Sequence, residues 1–298
     1  MKYFVSYLSF IGLAIALCAC GSGDDDNIVT DPTAIYSIIK EDTSGIDVVS
    51  LSGNNPLWVR KQIEQYQIPE QTFEEKRATL YKILDTLYTL NHFEEEDVYA
   101  VVDSLNYMAV HYMLNILQDK KSINAPLKHK MLTTAVSADR MLRVYTWNEN
   151  IGLDYNTYLN VYQYADANRN MHACLNTQNY DATNCEIASG RPVSVYKLNY
   201  TGESGCLYLL NVEGSVSGSE NFKGAIVLLQ QGDSLVFNYK GFAPHSEACM
   251  YTYMQAESIM CAYNYKSQQL EYKIKNEAGE IHTVTYVFNG EFFELKQD

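Results

Sequence analysis

The chain has 298 residues, 47% of them hydrophobic and 19% charged, with a formal net charge of −14. Its length and composition fit one large globular domain or two modest ones and exclude a disordered chain. Its acidity excludes a nucleic-acid partner, because phosphate binding needs clustered Lys and Arg, and argues against docking of the folded surface on anionic lipid.

Lys2 precedes an apolar run from Phe4 to Leu17, which has the length of a signal-peptide core. The run is short for a membrane span of ~20 residues, and Ser6, Ser9 and Gly12 interrupt it. It ends in Leu17-Cys18-Ala19-Cys20, and Gly21-Ser22-Gly23-Asp24-Asp25-Asp26 follows. The first of these motifs resembles the lipobox of bacterial lipoproteins, and the second is similar to the surface-export signal of Bacteroidetes outer-membrane lipoproteins. The resemblance implies a signal peptide over 1–19 and acylation of Cys20, palmitate included. It also implies anchorage to outer-membrane lipid through that residue, with the protein facing outward. Several acyl chains anchor stably where a single chain binds only marginally. Residues 20–33 have no periodicity and read as a flexible acidic tether.

Residues 34–130 read as a mainly helical unit. A short strand pair is expected at 35–39 and 46–51 around Asp42-Thr43-Ser44-Gly45. Asn55-Pro56 supplies an N-cap and a first-turn proline for a helix beginning LWVRKQIEQY. A second helix opens on Thr72 and Glu75, the spacing of a capping box, with the stripe Phe73, Leu80, Leu84, Leu87 and Leu90. A third is expected from Asn91, with Val98, Val101, Val102, Leu105, Ala109, Tyr112 and Ile116 on one face. Glu94, Glu95, Glu96 and Asp97 suit the positive end of that helix dipole and read as capping on a solvated face, not as a metal site. The second and third helices read as a helical hairpin.

From residue 131 to 298 the period changes to two, which predicts an all-antiparallel β domain (sandwich, barrel or curved meander) and an α+β chain overall. MLTTAV and MLRVYTW flank the turn Ser137-Ala138-Asp139-Arg140. Further strands are expected at 156–165, 193–200, 206–212, 224–231, 234–240, 250–255, 259–265, 269–275, 281–288 and 291–296. Gly232-Asp233, Ala278-Gly279 and Asn289-Gly290 mark turns between them. The 25 tyrosines, against 10 Phe and 2 Trp, suit strands and half-wet surfaces.

Linear motifs for catalysis fail one by one, so no catalytic residue, metal site or cofactor is expected. Gly214-Ser215-Val216-Ser217-Gly218 has valine where a hydrolase elbow needs its nucleophile, and Gly202-Glu203-Ser204-Gly205 fails on spacing. Asp166-x-Asn168-x-Asn170 opens like a calcium loop, but Met171 and Thr177 occupy its sixth and twelfth positions; it reads as a polar hairpin tip. His172 and Cys174 share a strand face, and a nucleophile pair or a zinc site completed by Cys185 is the minority reading against a Cys174–Cys185 disulfide. That bridge would close the loop LNTQNYDATN in a compartment where disulfides persist. His245 and Cys249 are a weaker pair of the same kind. Five cysteines follow Cys20, an odd number, and a Cys249–Cys261 link would leave Cys206 a buried free thiol.

One constellation has geometry behind it. Arg143, Tyr145 and Trp147 alternate on one face of their strand, and Tyr158, Asn160, Tyr162 and Tyr164 on one face of the next. If the hairpin places both rows on one side, they form an aromatic platform for sugars or cations; otherwise they are the aromatic side of the core. The runs Arg143–Trp147 and Asn160–Tyr164 are also similar to stretches in lipoproteins of gut Bacteroidetes, a resemblance that bears on cellular setting and implies no activity. The leading reading is a surface-anchored, non-enzymatic binding or interaction module for a glycan or protein ligand such as a host factor. One alternative is a glycoside hydrolase whose carboxylates, among them Glu203, Glu213, Asp233 and Glu247, meet only in three dimensions. Another is a structural partner of an outer-membrane complex that docks through its helical hairpin.

Overall fold

The computed structural model describes residues 68, 70–90, 96–149, 156–175, 190–202, 204–215, 221–237, 239–243, 249–254, 261–275 and 280–296. The expected signal peptide, the tether, the strand pair at 35–39 and 46–51 and the helix after Pro56 all lie outside these residues. The chain divides into two compact units, Met1–Ile116 and Leu117–Asp298.

The first unit contributes α1 (Phe73–Leu90) and most of α2 (Glu96–Leu117). The capping box forms: Glu75 accepts from the Thr72 backbone N–H at 2.7 Å, and the Thr72 hydroxyl accepts from the Glu75 N–H at 3.3 Å. The expected stripe of α1 is buried, with Ile83 added to it. Lys76 Nζ donates to Asn115 at 2.8 Å, so the start of α1 meets the end of α2 and the two run antiparallel. From Leu105 onward α2 is buried on nearly every side, including Tyr107, Met108, Val110 and Met113 off the expected stripe.

The second unit opens with a 3-10 turn at Lys120–Ile123, capped by the Asp119 carboxylate. The described residues then form thirteen strands: β1 (Thr133–Val136), β2 (Leu142–Asn148), β3 (Tyr158–Ala165), β4 (Met171–Leu175), β5 (Arg191–Lys197), β6 (Cys206–Ser215), β7 (Asn221–Gln231), β8 (Ser234–Val236), β9 (Cys249–Met254), β10 (Cys261–Asn264), β11 (Gln269–Lys275), β12 (Ile281–Phe288) and β13 (Phe293–Leu295). They form three antiparallel sheets: β1-β2-β3-β4, β5-β6-β7-β8 with β9 also on β7, and β10-β11-β12-β13. The chain is therefore α+β with a β-rich second unit.

The middle sheet is apolar on both faces. Tyr208, Leu210, Val212, Phe222, Ile226 and Leu228 pack against Ala135, Leu142, Val144, Tyr162 and Tyr164 of the first sheet. Leu207, Leu209, Ala225 and Val227, on the opposite side of the same strands, pack against Tyr263, Leu270, Tyr272, Tyr286, Phe288 and Phe293 of the third. This double burial explains the near-continuous apolar runs CLYLLNV and GAIVLLQ, where a half-buried strand would alternate. Tyrosine collects at the second of these cores, with Tyr272 stacked on Tyr286 at 5.7 Å and Tyr196 tilted against Tyr263 at 5.0 Å.

Turn chemistry sets the hairpins. Gly232 has φ +60° between the paired residues Gln231 and Ser234. Gly290 has φ +110°, a conformation L side chains rarely adopt, and a Cβ there would lie 2.7 Å from Thr201 Oγ1. Pro192 sits on the edge strand β5, where its missing N–H breaks no ladder and a register irregularity follows it.

Candidate functional site

The β2–β3 register decides the fate of the aromatic rows. Leu142 pairs with Tyr164, Val144 with Tyr162, Thr146 with Asn160 and Asn148 with Tyr158. Directly paired residues share a face, so Tyr158, Asn160, Tyr162 and Tyr164 lie opposite the face of Arg143, Tyr145 and Trp147. The single platform expected from alternation alone does not form. Tyr162 (1% exposed) and Tyr164 (4%) enter the core against the middle sheet, whereas Tyr145 (0%) and Trp147 (1%) are buried on the outer face of the first. Asn160 binds Thr146 at 2.7 Å and the Gly190 carbonyl at 2.9 Å.

Arg143 organises the outer face. Its guanidinium donates to Gln163 Oε1 and the Tyr145 hydroxyl, each at 3.1 Å, and to the carbonyls of Ser122 and Ile123 at 3.4 and 3.5 Å. Gln163 Nε2 donates to the Leu117 carbonyl at 2.9 Å and to Ser122 Oγ at 2.6 Å. The Leu127 N–H donates to the Tyr145 hydroxyl at 3.3 Å. Among the described residues the acceptors of Arg143 are neutral oxygens, two of them carbonyls of the 3-10 turn. The network fastens residues 117–127 to the first sheet, which is a structural task.

At the β3–β4 tip, Asp166 accepts from the N–H groups of Asn168 and Asn170 at 2.8 Å each, from Asn170 Nδ2 at 3.0 Å, and meets His172 Nε2 at 3.2 Å. Burial alone would raise this carboxyl, but the bonds from Asn170, His172 and Asn168 outweigh it and hold it at about 2. The carboxylate oxygens are thus engaged by the turn itself, as a polar hairpin tip requires. His172 stacks on Tyr164 at 5.4 Å.

Cys174, Cys206 and Cys261 are free thiols in the structure. Cys185 lies outside the described residues, and so do the side chain of Cys249 and residue His245, so the Cys174–Cys185 and Cys249–Cys261 links fall partly outside them. Burial pushes the thiols of Cys174 and Cys261 up to about 12 each, which leaves them protonated and poor nucleophiles at neutral pH.

A cluster that the linear motifs do not reveal lies where the β1–β2 turn meets β5 and β6. Lys197 Nζ bonds Asp139 at 3.0 Å. Asp139 accepts from the Ser137 hydroxyl at 2.6 Å and the Met141 N–H at 3.1 Å. Burial would raise the Asp139 carboxyl; the Ser137, Met141 and Lys197 bonds outweigh it and lower it. Burial would likewise depress the Lys197 ammonium, but the hydrogen bond and the charge of Asp139 raise it. Tyr208, opposite Lys197 in the ladder, is fully buried, and its hydroxyl has no hydrogen-bond partner among the described residues. The only trace of this cluster in the sequence is cross-strand, and it needs the register to be read.

The carboxylates of the hydrolase alternative are far apart where they are described. Glu213 pairs with Lys223 at one end of β7 and binds Arg191, while Asp233 lies in the turn past the other end, at Gln231. Eight residues of strand separate those ends, about 27 Å at ~3.4 Å per residue. Carboxylates flanking one glycosidic bond stand within ~10 Å, so this pair cannot do so; Glu203 and Glu247 lie outside the described residues. Among the described residues no group of three His, Cys, Asp or Glu side chains could hold a metal, and no helix is long and apolar enough to cross a membrane. No protein-family model, curated protein or solved structure matches the chain.

Proposed function

We propose that the chain is a lipid-anchored outer-membrane protein that displays its three-sheet unit outward and works by binding a polar ligand, glycan or protein, instead of turning over a substrate. The anchor rests on Leu17-Cys18-Ala19-Cys20 and the Gly-Ser-Gly-Asp-Asp-Asp run after it. The binding reading rests on the outer face of the third sheet. The first two sheets bury side chains on both faces, and the third buries Leu270, Tyr272 and Tyr286 inward. Its other face carries Asn264, Gln269, Glu271, Lys273, Thr283 and Thr285, all exposed or half-buried and brought side by side by the register. A twisted sheet surface of amides, hydroxyls and two opposite charges offers the donors and acceptors that sugar hydroxyls or a polar protein surface would use.

Two experiments test the two halves. Cys20→Ala is expected to abolish lipid labelling, and alanines at Asp24 to Asp26 to reduce cleavage by external protease while labelling persists. Labelling that persists in Cys20→Ala sinks the anchor; unchanged cleavage sinks the outward orientation. For binding, the soluble unit is passed over glycan and protein arrays as wild type and as Thr283→Arg/Thr285→Arg. Retention lost at an unchanged melting temperature supports the face, and retention equal to wild type moves binding elsewhere.

A further inference from the structure

We propose that Asn289 is a self-modification site, where the Gly290 nitrogen attacks the side-chain amide and two backbone N–H groups hold the developing oxyanion. A carboxylate replaces the amide. Asn289-Gly290 is the only Asn-Gly pair in the sequence, and it lies in the turn from β12 to β13. Neighbours in the chain need no encounter step, because the side-chain carbon and the next nitrogen close a five-membered ring. Glycine puts no side chain in the way of that approach. Its φ of +110°, and a Thr201 Oγ1 only 2.7 Å from where a Cβ would stand, keep glycine there.

The second observation is the cradle. Asn289 Oδ1 accepts from the N–H groups of Glu291 and Phe292 at 3.0 Å each, within the ~2.7–3.1 Å that oxyanion-hole donors keep. To reach them the side chain folds forward over the Gly290 peptide, beside the nitrogen that attacks. The Asn289 N–H bonds the Phe292 carbonyl at 3.0 Å, and the Thr201 N–H bonds the Gly290 carbonyl at 2.9 Å, so the reacting peptide is held on both sides. Asn289 itself is exposed, and water and hydroxide reach it.

In the step, hydroxide takes the Gly290 amide proton and the nitrogen attacks Asn289 Cγ. The C–N bond forms as the carbonyl electron pair moves onto Oδ1, where the Glu291 and Phe292 N–H groups receive it. The pair returns, the bond from Cγ to Nδ2 breaks, and the nitrogen leaves as ammonia with a proton from water. Water then opens the cyclic imide. Cleavage at Cγ leaves an aspartate side chain, and cleavage at the main-chain carbonyl leaves an isoaspartyl link. The sum is amide plus water to acid plus ammonia, with nothing oxidised or reduced.

The full chain is held in mildly alkaline buffer, once folded and once unfolded in guanidinium chloride, and deamidated positions are assigned by peptide mapping over time. In the folded chain Asn289 is expected to convert ahead of every other asparagine. It should also convert about tenfold faster than in the unfolded chain, since one oxyanion donor is worth roughly a hundredfold in an enzyme. Fraying of the hairpin raises the folded rate only as far as the unfolded one, so any excess belongs to the cradle. Asn289→Gln would have to close a six-membered ring and should remove the fast site while other asparagines keep their rates. Asn289→Asp should melt no lower than wild type at neutral pH, because a cradle that holds an oxyanion also holds a carboxylate. The proposal is overturned by a folded rate at or below the unfolded one, by another asparagine converting as fast in the folded chain, or by a lower melting temperature for Asn289→Asp.

Discussion

Trp147 and Tyr162 are the side chains on which a binding platform and a core make opposite demands. Each is 1% exposed, one on either face of the first sheet. Trp147→Ala and Tyr162→Ala should each cost ~3–5 kcal/mol, the range for large buried aromatics. Because the two side chains lie on opposite faces of the sheet, the double variant should add the single losses within ~0.5 kcal/mol. Denaturant unfolding of the three variants measures this; a melting temperature near wild type for either single variant would return that residue to the surface. Arg143 is a buried polar residue of another kind, a cation held by carbonyls, an amide and a hydroxyl, and two of its four hydrogen bonds fasten the 3-10 turn to the sheet.

Among the elements, the β3–β4 hairpin tip carries a pH dependence with a definite sign. Asp166 has its folded pKa depressed to about 2, below the ~3.9 of an unfolded aspartate. The stabilisation it contributes is therefore fully present above about pH 4 and is lost as pH falls through about 2. Asp166→Asn should lower stability at pH 6 and flatten the dependence between pH 4 and 2; an unchanged acid limb in thermal melts would sever the tip from acid stability. That tip was legible in its Asp-x-Asn-x-Asn spacing, as the capping box of α1 was in Thr72 and Glu75, because both are local devices that sequence neighbours complete. The aromatic rows were not legible in the same way. Alternation told which residues share a face within β2 and within β3, but whether the two strands' faces coincide depends on the parity of the pairing. A slip of one residue would have put Tyr162 beside Tyr145 instead of Val144, and the loop that sets this parity includes residues 150–155, outside those described. The cross-strand pair Lys197 and Tyr208 is hidden for the same reason.

For the second unit as a whole, the shared middle sheet ties two cores to one set of backbone hydrogen bonds. Its strands β6 and β7 cannot open without uncovering apolar side chains on both faces, so their amides should exchange only through global unfolding. Native-state hydrogen exchange should find the slowest amides between Leu207 and Val212 and between Ala225 and Leu228. Slower exchange in the third sheet would contradict this order. The same layering has a consequence for biosynthesis. The face of Leu207, Leu209 and Val227 is completed by residues that come late in the chain, with Phe293 and Phe288 among its deepest partners. Until the ribosome has released residues 261–295, the chain carries a finished central sheet whose far side is bare. Interrupted synthesis leaves a sticky product, and the chain gains from any factor that keeps the sheet unformed until its last strands are made.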